Sequence, residues 1–222
     1  MKIIGYIHTD FPTKFGVPRQ SGLSQELKGE ITFLPEYKVA EAFRGIEGFS
    51  HIWVIWQFSE SITETFSPTV RPPRLGGKRR VGVFASRAPY RPNPIAISCV
   101  KLESVRYDKS KGTVLTVSGI DMANNTPIYD IKPYIPLTDC HPEATEGYTA
   151  ETKIKRLSVC FPKELRERAG DSADAIEAFL EGDPRPAFEN AENKIYKVAF
   201  SHFDVSFSVC EDKLTVVDVK SI

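Results

Sequence analysis

The part of the sequence whose composition most directly suggests a function is a basic segment that contains no acidic residues. From Thr65 to Leu102 the chain carries eight Lys or Arg residues and no Asp or Glu. Such side chains contact phosphate oxygens, and these contacts supply most of the sequence-independent affinity of nucleic-acid-binding proteins. The segment therefore predicts a nucleic-acid surface, with a solvated basic loop as the alternative. The basic residues are Arg71, Arg74, Lys78, Arg79, Arg80, Arg87, Arg91 and Lys101.

Prolines stiffen the same segment. Because the proline ring fixes φ, the segment has little conformational freedom to lose on binding. Tyr90 offers a stacking face and Asn93 an amide, beside the cations Arg87 and Arg91. A rigid loop with these groups suits recognition of an unstacked RNA base. The prolines are Pro68, Pro72, Pro73, Pro89, Pro92 and Pro94.

Several well-known cofactor and nucleophile motifs are absent from the sequence. No GxGxxG follows a predicted strand, which argues against a Rossmann dinucleotide or methyltransferase domain. There is also no Walker motif, no HExxH and no GxSxG. The four cysteines are scattered, with no CxxC and no Cys–His cluster, so no metal site is predicted. The residues alone thus indicate a rigid basic surface and do not identify a reaction.

Five motifs, taken in order along the chain, resemble one known family. They are FGVPRQSGL (15–23), FSHIWVIWQF (49–58), RPPRLGGKRRVGVFASRAPYRPNP (71–94), GIDMANNTPIYDIKPYIP (119–136) and DPRPAF (183–188). In these motifs the chain resembles the TsaA-like, or TrmO-type, tRNA methyltransferases. The resemblance runs from about residue 3 to about residue 205. Five motifs in the family's order make it specific.

The resemblance implies both a cofactor and a substrate. Family members bind S-adenosylmethionine in a β-barrel instead of a Rossmann domain, so the missing glycine fingerprint is expected. They methylate N6 of threonylcarbamoyladenosine, next to the anticodon at position 37 of threonine tRNA. They act as homodimers, with the cofactor near the subunit interface. The chain is therefore expected to be an S-adenosylmethionine-dependent tRNA (adenine-N6)-methyltransferase.

The resemblance also implies which residues contact the cofactor. They are Pro18, Arg19, Gln20, Ser59, Glu60, Arg87, Ile97, Ile120, Asp121, Met122 and Ala123. A relative has His-Gln in place of Ser59–Glu60, so a backbone contact is expected there. The residues chosen for holding RNA or the threonyl carboxylate are Arg87, Tyr90, Arg91 and Asn93. Arg185 is a further candidate for tRNA contact, with a bracing ion pair to Asp183 as the alternative.

Methyl transfer from a sulfonium is an in-line displacement. The protein must align nucleophile, methyl carbon and sulfur at a near-attack distance of roughly 3 to 3.5 Å. The target nitrogen lies between a carbonyl and a purine, so it should lose its proton more easily than an ordinary exocyclic amine, and a base can help. Our hypothesis places Asp121 or Asp130 near the transfer centre. For each, the alternative is a carboxylate that caps a turn.

Short strands dominate the pattern that must position these residues. Strands are predicted at Met1–Thr9, Glu30–Leu34, His51–Phe58, Lys78–Ala85, Ile95–Tyr107, Thr113–Asp121 and Thr126–Ile135, with a short helix at Tyr37–Arg44. The β-branched and aromatic residues of HIWVIWQF predict a strand buried on both faces. Pro127 and Pro133 limit the last strand to an edge. Regular spacing with Gly and Pro between the strands predicts a sandwich or a barrel.

The pattern changes after Glu143. A strand is predicted at Lys153–Phe161, followed by two helices broken near Gly170, the second capped by Ser172. A meander follows, with strands at Lys194–Phe200, Val205–Cys210 and Leu214–Val219. The predicted fold is therefore mainly β, with a β-barrel domain over residues 1–145 and a small α+β domain over residues 146–222. The helical spacing is set by Leu165, Ala169, Ile176, Phe179 and Leu180.

Composition narrows the remaining choices. Hydrophobic residues make up 41% of the 222, enough for a packed core, and Lys plus Arg equals Asp plus Glu at 29 each. No signal peptide or membrane span is apparent, so a cytoplasmic protein is expected. One alternative function is a non-catalytic RNA-binding β-barrel that uses the same basic loop. Another, a hydrolase of small phosphorylated molecules, is disfavoured because no nucleophile–base pair or metal-ligand cluster is found.

Overall fold

Short strands build the first two thirds of the chain. The computed structural model describes residues 1–76, 79–152, 156–185 and 194–222. The strands of this part are β1 (Gly5–Thr9), β2 (Lys28–Phe33), β3 (His51–Gln57), β4 (Thr69–Val70), β5 (Val81–Gly82), β6 (Ile95–Asp108), β7 (Gly112–Ser118) and β8 (Thr126–Pro133). A one-turn helix, α1 (Pro136–Asp139), follows them.

Six of these strands close into an antiparallel barrel in the order β1-β2-β7-β6-β3-β8. Its interior is apolar because alternate residues of each strand point inward. The mainly β prediction, with a barrel as one of its two forms, is therefore confirmed. Side chains that fill the interior include Ile7, Ile31, Ile52, Val54, Leu115 and Ile128.

The predicted edge position of the last barrel strand is wrong. β8 pairs with β1 on one side and with β3 on the other, and so closes the barrel. Proline is tolerated here because the register with β3 stops at Ile128, one residue after Pro127, and because Pro133 is the last residue of the strand. Pro127 lies opposite Tyr6 of β1, but the next residue supplies a bond there, from Ile4 N–H to Ile128 O, and Tyr134 N–H bonds to His51 O just after Pro133, so the ladder continues past both prolines.

Three local predictions also need correction. β3 is not buried on both faces: fully buried residues alternate with partly exposed ones such as Trp53 and Ile55, because one face lies on the outside of the barrel. In place of the strand predicted at Lys78–Ala85, the structure has the two-residue strand β5 and then a 3₁₀ turn. The chain turns there because Val83 N–H bonds to Pro68 O. Lys78 itself lies outside the described residues. The helix predicted at Tyr37–Arg44 is a single 3₁₀ turn at Ala40–Phe43.

The last third of the chain is α+β, as predicted. Its elements are β9 (Ser158–Cys160), α2 (Lys163–Ala169), α3 (Ala173–Glu181), β10 (Tyr196–Phe200), β11 (Phe203–Cys210) and β12 (Lys213–Ser221). The strands form one sheet in the order β10-β11-β12-β9, with β9 parallel to β12. Gly170, at a φ of 55°, separates the helices as expected. Ser172 occupies the N-cap position without a side-chain capping bond, and the predicted strand start at Lys153 lies outside the described residues.

The two parts of the chain share a core. Phe11, just after β1, packs edge-on against Phe179 and Phe200, with ring centroids 5.9 and 5.2 Å apart. A Cβ on Gly16 would lie 2.9 Å from Val198 Cγ2, so this loop runs close to β10. The loop that leads to the VPRQ motif is thus held by the C-terminal part. No helix in the described ranges has the length and apolarity needed to span a bilayer.

Candidate active site

Asp121 lies three residues after β7, and a buried hydrogen-bond chain fixes its carboxylate. The Ser98 hydroxyl donates to Asp121 Oδ1 at 2.6 Å, and Trp56 Nε1 donates to Ser98 Oγ at 2.9 Å. Ser98 and Trp56 are buried inside the barrel, with 1% and 6% of their surface exposed. Because a hydroxyl has one proton to donate, the chain runs in one direction, from indole to hydroxyl to carboxylate.

The VPRQ loop is tied to the same carboxylate. Ser21 N–H donates a hydrogen bond to Asp121, and Gly22 N–H donates to Gly119 O at 2.8 Å. Gly119 has a φ of 73°, and a Cβ there would lie 3.2 Å from Gly22 Cα. Glycine therefore permits both the backbone conformation and the close approach. As a result, two segments predicted to contact the cofactor lie side by side.

Asp121 ionises closer to neutral pH than an ordinary aspartate. Burial raises its pKa to about 6. The hydrogen bonds from Ser98 and Ser21 act in the opposite direction, as do its own N–H and the charge of Arg87, without cancelling the effect. A carboxyl group with a pKa near the working pH suits proton transfer.

This pKa predicts a pH dependence of folding stability. Since the pKa is raised in the folded state, its contribution to stability is fully present below the unfolded value near 3.8 and is lost as the pH rises through about 6. Wild-type protein should therefore lose roughly 1 to 3 kcal/mol across this window relative to Asp121→Asn, which cannot ionise. Urea unfolding of both proteins at a series of pH values measures the difference. A difference that does not change with pH would contradict the raised pKa.

Arg87 connects the basic segment to this loop. Its Nη1 donates to Gln20 Oε1 at 2.8 Å, and Gln20 Nε2 donates to Arg19 O at 2.6 Å. Arg87 and Arg19 are exposed, while Pro18 and Gln20 are partly buried. The structure thus brings the loop of Pro18, Arg19 and Gln20 together with Arg87 and Asp121, and their contact with a cofactor stays a prediction.

The residues next to Asp121 have buried side chains, so they expose their backbone more than their side chains. Ile120 and Met122 are 1% and 0% exposed, so their side chains belong to the core. The Thr9 hydroxyl donates to Met122 O at 3.2 Å, and the Thr126 hydroxyl donates to Ala123 O at 2.7 Å. These bonds hold the backbone of this segment in place.

Ser59 and Glu60 form an exposed 3₁₀ turn directly after β3. Lys14 Nζ donates to Glu60 O at 3.1 Å, and Phe58 N–H donates to Pro94 O at 2.9 Å. The turn therefore lies between the loop that follows β1 and the end of the proline-rich segment. Sequence reasoning missed Lys14, which directly precedes the first motif and bonds to the turn that follows the second.

Asp130 and Ile97 lie on the outer face of the barrel. Both face Ile55 across neighbouring strands, whereas Ser98, which reaches Asp121, points inward. The Asp130 carboxylate is 3.0 Å from Lys132 Nζ and accepts from Ile131 N–H at 2.9 Å. A register shift of β8 opposite Ile55 and Trp56 helps to set this orientation. Of the two candidate bases, Asp121 thus bonds to a residue on the inner face of the barrel, whereas Asp130 lies on the outer face.

The predicted RNA-holding residues differ in their exposure. Tyr90 is 49% exposed and Asn93 is also exposed, so both can contact a ligand. Arg91 is partly buried, and its Nη1 donates to Ser86 O at 2.8 Å and to Val83 O at 3.1 Å. Arg91 therefore shapes the loop that carries Arg87 and Tyr90.

Arg185 forms the ion pair with Asp183 that the sequence offered as an alternative. Its Nε and Nη2 donate to the two carboxylate oxygens at 2.7 and 2.8 Å, and only 13% of its side chain is exposed. Burial raises the pKa of Asp183, but hydrogen bonds from Arg185 and the charges of Arg185 and Arg19 hold it below its usual value. Asp183 therefore lies near Arg19 of the VPRQ loop.

Comparison with known proteins gives one consistent result. Residues 6–140 match the family model of the tRNA-methyltransferase O N-terminal domain, and residues 150–222 match that of the TrmO C-terminal domain. A tRNA (adenine(37)-N6)-methyltransferase of Escherichia coli (strain K12) is 38% identical over 94% of this chain and 92% of its own. A "Probable S-adenosyl-L-methionine-binding protein" of Pyrococcus abyssi is 36% identical over 69% of this chain and 77% of its own.

Solved structures agree with the family models. Two crystal structures of TrmO from Pseudomonas aeruginosa superpose with TM-scores of 0.80 and 0.79 at 31% identity. They match 99% of this chain and 95% and 97% of their own.

Proposed function

This chain belongs to the TrmO family, and on that premise we propose that it methylates N6 of an adenosine in tRNA with S-adenosylmethionine. The observation that carries the proposal is that two distant motifs, the VPRQ loop and the basic segment, meet at the carboxylate of a third. Ser21 of the VPRQ loop bonds to Asp121, and Arg87 of the basic segment reaches the same loop through Gln20. The barrel part, residues 1–145, would carry this chemistry in the cytoplasm, with residues 146–222 supporting its loops.

The chemical groups of the site fit S-adenosylmethionine. The ligand carries a carboxylate and an ammonium, and the site sets the Arg87 cation near the Asp121 carboxylate, with Arg19 next to Gln20 in the adjoining loop. Arg87 would hold the ligand carboxylate, and the backbone of Ile120–Ala123 would contact its polar edges. When bound, S-adenosylmethionine supplies an electrophilic methyl group on a sulfonium. The protein has to hold the two reactants in line and exclude other orientations.

We assign the role of proton acceptor to Asp121. With a pKa of about 6 it is ionised at neutral pH and still basic enough to accept a proton. Ser98, itself held by Trp56, keeps one carboxylate oxygen in a fixed position. Asp130 is less suited to this role, because its carboxylate is half exposed and paired with Lys132.

The substrate we propose is threonylcarbamoyladenosine at position 37 of threonine tRNA. Its N6 is part of a urea and gives up its proton more readily than the amine of plain adenosine, which suits a weak base such as a carboxylate. Tyr90 and Asn93 would contact the RNA, while Arg91 holds their loop. Arg185, bound to Asp183 and mostly buried, would brace the site without touching tRNA.

A homodimer is part of the proposal. Ile95 and Ile97 are 36% and 50% exposed and form an apolar strip with Ile55 on the outer face of β3 and β6. A second copy that covers this strip would remove it from water. The strip, which includes Ile97, would then lie between the subunits.

The direct test is methyl transfer to defined tRNA. Wild-type protein with radiolabelled S-adenosylmethionine should label threonine tRNA that carries the threonylcarbamoyl group. The same transcript without the group should gain about tenfold less label or lower, because its N6 is far less acidic. Equal labelling of both would reject the substrate assignment, and no labelling of either would reject the activity.

A further inference from the structure

Two phenylalanines lie exposed on the proline-rich loop and stack on each other. Phe66 and Phe84 are 58% and 72% exposed, and their ring centroids lie 6.4 Å apart at an interplanar angle of 28°. Neither belongs to the buried core. A pair of neighbouring, solvent-facing aromatic rings is unusual enough to indicate a binding surface.

The small sheet of the loop brings the two rings together. β4 pairs with β5 through Thr69–Gly82 and Val70–Val81, so the residues just before β4 meet those just after β5. Val83 is buried, and its N–H donates to Pro68 O at 3.0 Å. A hydrogen bond thus joins the backbone next to Phe84 to Pro68, two residues after Phe66, and this bond places the two rings on neighbouring segments of the chain.

A fixed cation completes the surface. The Arg91 guanidinium lies 5.7 Å from the centre of the Phe84 ring, and its bonds to Ser86 O and Val83 O keep it there. Beside it is a hollow of about 100 Å³, lined by residues 63–66 and 90–92, which include Tyr90 and one acidic residue, Glu64. Arg87, three residues after Phe84, connects this surface to the site around Asp121.

The occupant that fits is an unpaired nucleobase. A base has two flat faces for aromatic stacking, and the phosphates that flank its nucleotide suit a segment with eight basic and no acidic residues from Thr65 to Leu102. A second copy of the chain fits less well, because a two-fold contact would bring two copies of the same basic segment together, and like charges repel. We propose that Phe66 and Phe84, with Arg91, form a stacking platform for an unpaired tRNA base that flanks the methylated adenosine. This inference rests on the proposed function and adds the residues that hold the neighbouring base.

The test compares Phe66→Leu, Phe84→Leu and the double variant with wild type. Leucine keeps an apolar side chain but cannot stack, so each single change should weaken threonine tRNA binding by about tenfold and the double change by more. S-Adenosylmethionine binding, followed by thermal shift, should change by less than about twofold. Tyr107→Leu is the matched control, because Tyr107 is 69% exposed on β6 and lies outside the basic segment. Phe84→Trp should retain wild-type affinity.

Two further measurements make the outcome decisive. 2-Aminopurine placed in turn at each unpaired position of the anticodon loop should be quenched by wild type at one position flanking the target, and not by the double variant. Light scattering should give the same dimeric mass for both proteins. Unchanged tRNA affinity in the double variant, or its dissociation into monomers, would overturn the platform. Failure of wild type to methylate tRNA, with stacking still detected, would instead reject the proposed function.

Discussion

Asp121→Asn is expected to lower methyl transfer to tRNA by about 100-fold or more at neutral pH, the range lost when a general base is removed. Asparagine is close in size and can still accept the Ser98 hydrogen bond, so the fold should persist. It cannot take up the proton from N6. For wild type, kcat/KM should rise with pH up to about 6 and then level off, because the carboxyl must be ionised. Single-turnover rates across this pH range measure both effects.

Asp130→Asn is the matched control for this experiment. It removes a carboxylate of the same family motif from the outer face of the barrel and should leave the pH profile unchanged. If Asp121 serves only to anchor the VPRQ loop, its replacement will raise KM for S-adenosylmethionine while kcat and the pH profile stay as in wild type. That pattern, or full turnover by Asp121→Asn, would reject the proton-acceptor role.

Arg87→Ala is expected to weaken S-adenosylmethionine binding by roughly 10- to 100-fold. The change removes a charged hydrogen-bond donor, and such bonds contribute about 1.5 to 3 kcal/mol. It also frees Gln20, whose side chain Arg87 holds at 2.8 Å. Since the charge of Arg87 lowers the pKa of Asp121, the rise in rate with pH should move to higher pH. Calorimetry with S-adenosylmethionine measures the first effect, and the pH–rate profile the second.

Two comparisons separate the charge of Arg87 from its shape. Arg87→Lys keeps the charge without the planar fork, so it should restore the pH profile but only part of the affinity. Arg79→Ala removes another cation of the basic segment, one that pairs with Glu151 at 2.8 Å, and should leave cofactor binding unchanged. Wild-type affinity in Arg87→Ala would contradict the assigned contact.

The sequence predicted the strands well where apolar residues alternate. It did not predict how strands pair when their partners lie far away in the sequence. β6 and β7 lie within a few residues of their predicted bounds. The sequence did not show that β8 closes the barrel. Proline removes a ladder bond only where its nitrogen faces a partner strand, and the register with β3 ends at Ile128, before Pro127. The burial of β3 was overestimated because apolar residues on the outer face look the same in sequence as those in a core.

Motifs located the candidate site, but its connections required the three-dimensional fold. The sequence named Pro18–Gln20, Arg87 and Asp121, which the structure brings together. It missed Ser98, which joins Asp121 across 23 residues, although one signal was available: a serine between the inward positions of Ala96 and Val100 on an otherwise apolar strand. It could not separate Asp121 from Asp130, because a register shift helps to decide which way the second carboxylate points.

The aromatic contact between Phe11 and the C-terminal helix and sheet has a consequence for cooperativity. The loop that would grip the ligand begins at Phe11, and the surface behind it is supplied by Phe179 and Phe200, from the opposite end of the polypeptide. Local unfolding of the C-terminal part would therefore release the loop even if every barrel strand stayed in place. Ligand binding at the barrel mouth is therefore coupled to the whole chain, which should melt in a single transition whose midpoint rises on saturation.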